Sequence, residues 1–256
     1  MPPPLPGPVV ALAGELAALS GVAAVVLGGS RATGAHRPDS DWDLGVYYRA
    51  SARPLDPDTV RALGHSGYVS ALGEWGPLMH GGAWLTVDGL AVDVLFRDLD
   101  VVELRLAQAA AGEFEILPQN GYLAGAPGYI SAAELAVSVP LAGHLPRPSF
   151  PATLARSAPP RWRGRAAVSL MFAHLHARGG EPVGCTGMLA HAVLCAAHGR
   201  LAERREWVLN EKRLVERAGL GAARPLLGAA GRTAAELEAT VAAVADAIRV
   251  EPLVAR

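Results

Sequence analysis

The sequence predicts an α+β protein: a mixed β-sheet flanked by helices, followed by a domain of α-helices. Three observations carry that expectation. Short apolar runs alternate with helical patterns in the first part of the chain. Two of the runs are joined by Asp88-Gly89, a dipeptide suited to the positive φ angles of a two-residue hairpin turn, so the sheet is not a regular parallel one. Beyond a proline-rich stretch the apolar residues recur at helical spacing only. The two domains are therefore expected at residues 1–145 and 146–256.

Taken in order, PVVALAGELAALS carries apolar groups at helical spacing from residue 8 and ends at Ser20-Gly21, predicting a first helix. VAAVVL at 22–27 reads as a short buried strand, broken by Gly28-Gly29, after which SRATG opens a short helix or turn. WDLGVYY at 42–48 is the next strand. DPDTVRAL predicts a helix from Pro57 to Leu63, because an acidic start suits the positive end of the helix dipole. AWLTVDGLAVDVLF supplies the two hairpin strands, and a helix follows from Leu99 to Ala111 with Asp98 or Asp100 as its cap. Residues 140–160 are rich in proline and lack a clean period, which predicts a linker or irregular crossover. Helices are then expected at 163–178, 186–197, 204–218 and 233–249, the last opened by a capping box of Thr233 and Glu236.

Composition narrows the function classes. At 256 residues, with 51% hydrophobic and 18% charged, the chain is that of an ordinary soluble globular protein with a sizeable core. A formal charge of -1 provides no basic field for long nucleic acid, which favours a small acceptor or a protein partner. The N-terminus MPPPLPGPVV has neither the basic nor the apolar region of a signal peptide, and no apolar stretch is long enough to span a membrane. Cys185 and Cys195, ten positions apart, fit buried free thiols rather than a disulfide or metal site, so the expected location is the cytoplasm.

The chemistry concentrates in GGSRATGAHRPDSDWD at residues 28–43. Alternate residues of a strand share a face, so Asp41 and Asp43 are expected on one side and Trp42 on the other. Two carboxylates so close repel unless a cation neutralises them, and a hard, oxygen-seeking ion such as Mg²⁺ suits the pair. In LAVDVLF, Asp93 is the sole polar residue of an apolar strand. If that strand lies beside 42–48, Asp93 faces the pair, and three carboxylates can hold two metals about 4 Å apart for an in-line phosphoryl displacement. Asp93 is then placed to accept the proton of an attacking hydroxyl. Gly28 and Gly29 let backbone amides approach phosphate oxygens, Ser30 adds a hydroxyl donor, and Arg31 adds a positive fork. Asp39 repeats the same spacing from Asp41, but the apolar run LGVYY begins after Asp43 and favours the later pair.

LGGSRATGAHRPDSDWDLGV, with VDVLF further on, resembles the signature of the nucleotidyltransferases of the DNA polymerase β superfamily, over roughly residues 22–97. The resemblance implies nucleotidyl transfer from ATP or another nucleoside triphosphate to an acceptor hydroxyl, with pyrophosphate released and two Mg²⁺ ions bound. It matches Gly29 and Ser30 to the triphosphate turn, Asp41 and Asp43 to metal ligands, and Asp93 to the third ligand or base. It also implies that the helical half is a bundle covering the nucleotide, with the active cleft between the two domains. Size and near-neutral charge are most similar to the small-molecule group of aminoglycoside and lincosamide nucleotidyltransferases. That group implies transfer of AMP to a small molecule such as an antibiotic, with a homodimer left open. Modification of a protein or tRNA, as in toxin–antitoxin nucleotidyltransferases, is the alternative reading, and a non-catalytic nucleotide-binding module is the third.

Lys212 is the only lysine of the chain, and several members of the superfamily use a basic residue of the helical domain on the triphosphate, so the resemblance makes Lys212 a candidate there and equally a solvated residue. Glu206 and Glu211 could bind a cationic acceptor or face solvent. His174, His176, His191 and His198 lack the spacing of a zinc site and are expected in core or surface positions, and Arg161, Arg163 and Arg165 could steer a triphosphate or RNA but suit a solvated helix start better. Trp75 and the HGGAW segment at 80–84 could stack on a base or sugar, or pack under the sheet.

Overall fold

In a computed structural model that describes residues 4–253, the apolar runs of the first part of the chain form the strands expected of them. The opening residues of the N-terminal segment lie outside the described residues. The early elements are α1 (Gly7–Ala18), β1 (Val22–Leu27), α2 (Gly29–Thr33), β2 (Trp42–Tyr48), α3 (Pro57–Arg61), β3 (Ser66–Val69), β4 (Gly82–Val87), β5 (Leu90–Asp98) and α4 (Leu99–Ala111). There follow β6 (Ile116–Gln119), β7 (Tyr122–Pro127), α5 (Ile130–Val137), β8 (Val139–Ala142), α6 (Ala152–Arg178) and α7 (Pro182–Glu203). The last elements are α8 (Leu214–Arg217), α9 (Ala223–Gly228) and α10 (Ala234–Ile248). The chain forms two compact units, Met1–Gln108 with Gly128–Ser149, and Ala109–Pro127 with Phe150–Arg256.

The first unit is built on a six-stranded sheet of order β3-β4-β5-β2-β1-β8. Only β2 and β5 run parallel; the other neighbours are antiparallel, so the sheet is mixed as expected. The β4–β5 turn falls on Asp88 and Gly89, with φ of 49° and 79°. Strand alternation sorts the side chains between two faces. One face carries Leu27, Trp42, Leu44, Val92, Val94 and Phe96, packed with Val9, Leu12 and Leu16 of α1. The other carries Ala24, Val26 and Tyr47, packed with Leu99 and Val102 of α4 and Leu135 of α5. Asp98 closes β5 and accepts the amides of Asp100 and Ala50, both at 3.1 Å.

The proline-rich stretch is irregular only at its centre, residues 143–151, where the boundary between the two units falls after Ser149. Its start belongs to β8, an edge strand, where Pro140 needs no partner for the amide it lacks. Its end belongs to α6, which runs through Pro159 and Pro160. Prolines inside a helix remove hydrogen bonds, but Leu154, Ala158, Trp162, Ala166 and Leu170 recur every four residues and are all fully buried. Burial of that stripe outweighs the lost bonds.

In the second unit α6 packs on α7 and α10, and β6 pairs with β7 as a separate two-stranded sheet. The helix expected at 204–218 is reduced to α8. Arg205, at φ 58°, turns the chain out of α7, and the Glu206 amide bonds the Leu201 carbonyl at 2.9 Å, closing the helix. The capping box of Thr233 and Glu236 is present at the start of α10. Cys185 and Cys195 are buried free thiols, and among the described residues no helix is long and apolar enough to cross a membrane.

Candidate active site

Asp43 is the second residue of β2, between Trp42 and Leu44, which are both buried in the α1-side core. Alternation therefore turns the Asp43 carboxylate to the opposite face. Asp93 stands between buried Val92 and Val94 of β5 for the same reason, and the parallel register makes Asp43 and Asp93 direct partners. Both are half-buried. Like charges directly opposite one another in adjacent strands repel, and a bound cation would relieve that repulsion.

The glycine turn is shaped around this carboxylate. The Gly28 amide bonds the Asp43 carbonyl at 2.8 Å, extending the β1–β2 ladder by one residue. Gly29 follows at φ 59°, and a Cβ placed on it would stand 1.8 Å from Oδ2 of Asp43. No other residue could occupy that position with the carboxylate where it is. Ser30 is half-buried in the first turn of α2, beside the same strand end.

Arg31 is turned elsewhere than expected. Its side chain is buried, its Nε donates to the carbonyls of Asp41 at 2.9 Å and Ser40 at 3.1 Å, and its guanidinium lies 4.0 Å over the Trp42 ring. It ties the loop before β2 to α2 and so fixes where the acidic segment enters the sheet. Asp41 precedes the strand and is exposed, so strand alternation does not govern its side chain. Asp39 pairs with Arg37 at 3.0 and 2.7 Å, and that hydrogen bond holds its carboxyl below the usual range.

Lys212 belongs to the second unit, where it is exposed in a turn whose amide bonds Oδ1 of Asn210 at 3.0 Å. Glu211 accepts the amides of Leu123 and Ala124 at 2.7 and 2.8 Å and so anchors β7. His191 bonds the Ser169 hydroxyl at 2.7 Å, and burial lowers its pKa. His198 is buried and stacked on Trp162 with centroids 4.2 Å apart. Neither of these two histidines belongs to a metal cluster, since the described residues contain none.

The expected three-carboxylate cage is thus not preformed: among the described residues no three His, Cys, Asp or Glu side chains gather closely enough to hold an ion. What the fold does gather is the pair Asp43 and Asp93. That donor set fits Mg²⁺, which keeps several waters and is held by one or two carboxylates together with substrate phosphates rather than by an all-protein cage. Sequence reading missed one residue of the same cross-strand row, two strands beyond Asp93. Tyr68 lies on β3, a four-residue strand containing glycine that carries too little pattern to be read as a strand.

Residues 10–102 match the family model described as the nucleotidyltransferase domain. Among solved structures the chain is similar to a nucleotidyltransferase-like protein from Exiguobacterium sibiricum 255-15, at 9% identity and a TM-score of 0.47, over 94% of this chain and 73% of that one. It is also similar to an aminoglycoside 6-adenyltransferase from Bacillus subtilis, at 9% identity and a TM-score of 0.28, over 95% of this chain and 90% of that one. No curated protein matches it.

Proposed function

We propose that the nucleotidyltransferase domain of this enzyme, matched over residues 10–102, moves a nucleoside monophosphate from a triphosphate to a hydroxyl of a small molecule. AMP is the proposed group and ATP the proposed donor, with an antibiotic among the candidate acceptors. The observation that carries this reading is the register of Asp43 with Asp93, two half-buried like charges on one sheet face beside a glycine turn.

The turn Gly28-Gly29-Ser30 offers the triphosphate main-chain amides and one hydroxyl without a side chain in the way. Asp43 and Asp93 would hold Mg²⁺, with Asp41 at the mouth of the strand as a further oxygen ligand. When bound, the metal supplies positive charge against the phosphate oxygens and the departing pyrophosphate. Asp93 lies on the side of Asp43 away from the glycine turn and takes the proton of the attacking hydroxyl. The acceptor oxygen bonds to the α-phosphorus as the bond to the bridging oxygen breaks, and pyrophosphate leaves with the electron pair. Arg31 keeps the loop in place, and Lys212 enters only as a cation the resemblance assigns to the triphosphate.

The test is a pyrophosphate-release screen with Mg²⁺ and each of the four ribonucleoside triphosphates, against aminoglycosides, lincosamides and other polyols. Release is expected to accompany a mass gain of one nucleotide on the acceptor. A mass gain on added protein or tRNA instead would move the acceptor to a macromolecule. Tight metal-dependent triphosphate binding with no transfer to any of these would sink the enzymatic reading.

A further inference from the structure

The rung that carries the two carboxylates continues past Asp93. Trp84 of β4 is the register partner of Asp93, and Tyr68 of β3 is the register partner of Trp84. Tyr68, Trp84, Asp93 and Asp43 therefore form one row across four strands, on a single face of the sheet. Trp84 is 55% exposed and Tyr68 40% exposed, although β4 is an interior strand.

This aromatic end is built, not merely left bare. Trp75 stacks on Trp84 with centroids 4.9 Å apart and planes 23° from parallel, and Tyr68 tilts against Trp84 at 5.5 Å. A Cβ on Gly82 would stand 2.0 Å from the Val94 carbonyl oxygen and 2.5 Å from the Trp75 ring, so glycine lets both the β5 backbone and the second indole approach. The Tyr68 hydroxyl donates to Glu74, whose other oxygen accepts the Ala71 amide at 2.7 Å. Three rings are thus fixed in orientation while one broad indole faces solvent, which forgoes hydrophobic stabilisation that packing would otherwise recover.

The direction of the reaction assigns the occupant. In-line displacement puts the leaving oxygen and the attacking oxygen on opposite sides of the α-phosphorus. With pyrophosphate toward the glycine turn at the β1 end, the attacking hydroxyl enters from the β4 end. Trp84 is one strand beyond Asp93, a separation of about 4.8 Å. We infer that Trp84, backed by Trp75 and Tyr68, is the platform on which the acceptor stacks, and that the acceptor is a hydroxyl-bearing ring with a flat apolar or C–H face. The inference rests on the proposed transfer reaction and deepens it by naming the acceptor side and the acceptor class. The donor base, which travels with the triphosphate, is not the occupant.

The test uses the full chain with ¹⁵N-labelled indoles, the five tryptophan signals assigned by single Trp→Phe variants. Mg²⁺ with α,β-methylene-ATP should leave the Trp84 signal in place. Millimolar 4-nitrophenyl glucoside, kanamycin or lincomycin, added to that complex, should move it. Trp84→Ala is expected to weaken binding of the responding probe by roughly ten- to a hundredfold, with Trp84→Phe restoring most of it. Affinity for Mg²⁺ with α,β-methylene-ATP should change less than about twofold in Trp84→Ala, because the platform lies off the path of the triphosphate. Movement of Trp84 by the nucleotide alone overturns the inference, since the donor base would then sit there. So does a Trp84 signal that none of the three probes moves. Asp43→Asn judges the transfer reaction separately: undiminished pyrophosphate release in that variant removes the reaction, whereas the Trp84 titration reports the platform by itself.

Discussion

β2 and β5 run side by side from Trp42↔Val92 to Tyr48↔Asp98, and the two ends of that pairing treat charge in opposite ways. At Tyr47↔Arg97 the cation is 3% exposed and is answered inside the fold, with Nε and Nη2 of Arg97 donating to Glu134 at 2.7 and 2.6 Å. At Asp43↔Asp93 two anions meet on the same sheet face, and side chains there are half-buried or exposed. The first arrangement completes a core. The second sets two carboxylates side by side next to a glycine turn fitted to one of them, and the proposed site rests on that arrangement.

The contrast can be broken in several ways. Asp43→Asn removes one like charge and is expected to lower pyrophosphate release by about 10²- to 10³-fold, while the urea midpoint holds or rises. A destabilised variant would show the acid pair to be structural after all. Glu134→Gln should do the reverse. It leaves Arg97 buried with half its partner gone and is expected to lose about 3 kcal/mol in urea unfolding, since breaking a buried pair exposes no compensating solvent. Loss of activity there should follow loss of fold and not precede it.

Gly29→Ala probes the join between turn and carboxylate. Its φ of 59° and the 1.8 Å approach to Asp43 predict about 1–2 kcal/mol of destabilisation, with weaker triphosphate binding by calorimetry. Affinity and stability both unchanged would mean that the Asp43 carboxylate is free to swing away.

The smallest effect sharpens the comparison from the second unit. Burial, and then the charge of Arg217, push the His198 pKa down to about 3. The Glu211 carboxylate is 3.9 Å away but already accepts two main-chain amides. The folded protein keeps His198 neutral, whereas the unfolded chain takes up a proton below about pH 6.5. Stability from this residue is therefore complete above that pH and is lost as pH falls toward 3, at up to about 1.4 kcal/mol per unit. Between pH 6.5 and 5.5 the expected loss is about 1 kcal/mol, and His198→Phe, which keeps a ring against Trp162, should remove it from the pH profile of thermal unfolding.

The parts legible in sequence were those with clear punctuation. β1 and β2 read directly because glycines or acids bound their apolar runs, and Asp88-Gly89 gave the hairpin. Thr233 and Glu236 announced α10. Proline content marks the irregular residues 143–151 but hides the ends of β8 and α6 on either side, because composition does not tell an edge strand or a buried stripe from a linker. The identity of the residues that meet at Asp43 was legible, but the meeting was conditional on which strand lies beside which. That depends on the parallel β2–β5 pairing, which no local pattern encodes. Trp84 read only as an aromatic near glycines; its place in the carboxylate row follows from two further registers.

That parallel pairing also governs when the site comes into being. The β4–β5 hairpin closes over a two-residue turn, and β1 and β2 are joined by one loop, so each pair can form early and nearby in the chain. Asp43 and Asp93 lie fifty positions apart and become neighbours only when these two local assemblies dock. A nascent chain with both local pairs made and not yet joined would hold both aspartates of the proposed site without their juxtaposition. The proposed centre is thus a product of long-range docking, so its assembly should be slow relative to the local turns that flank it.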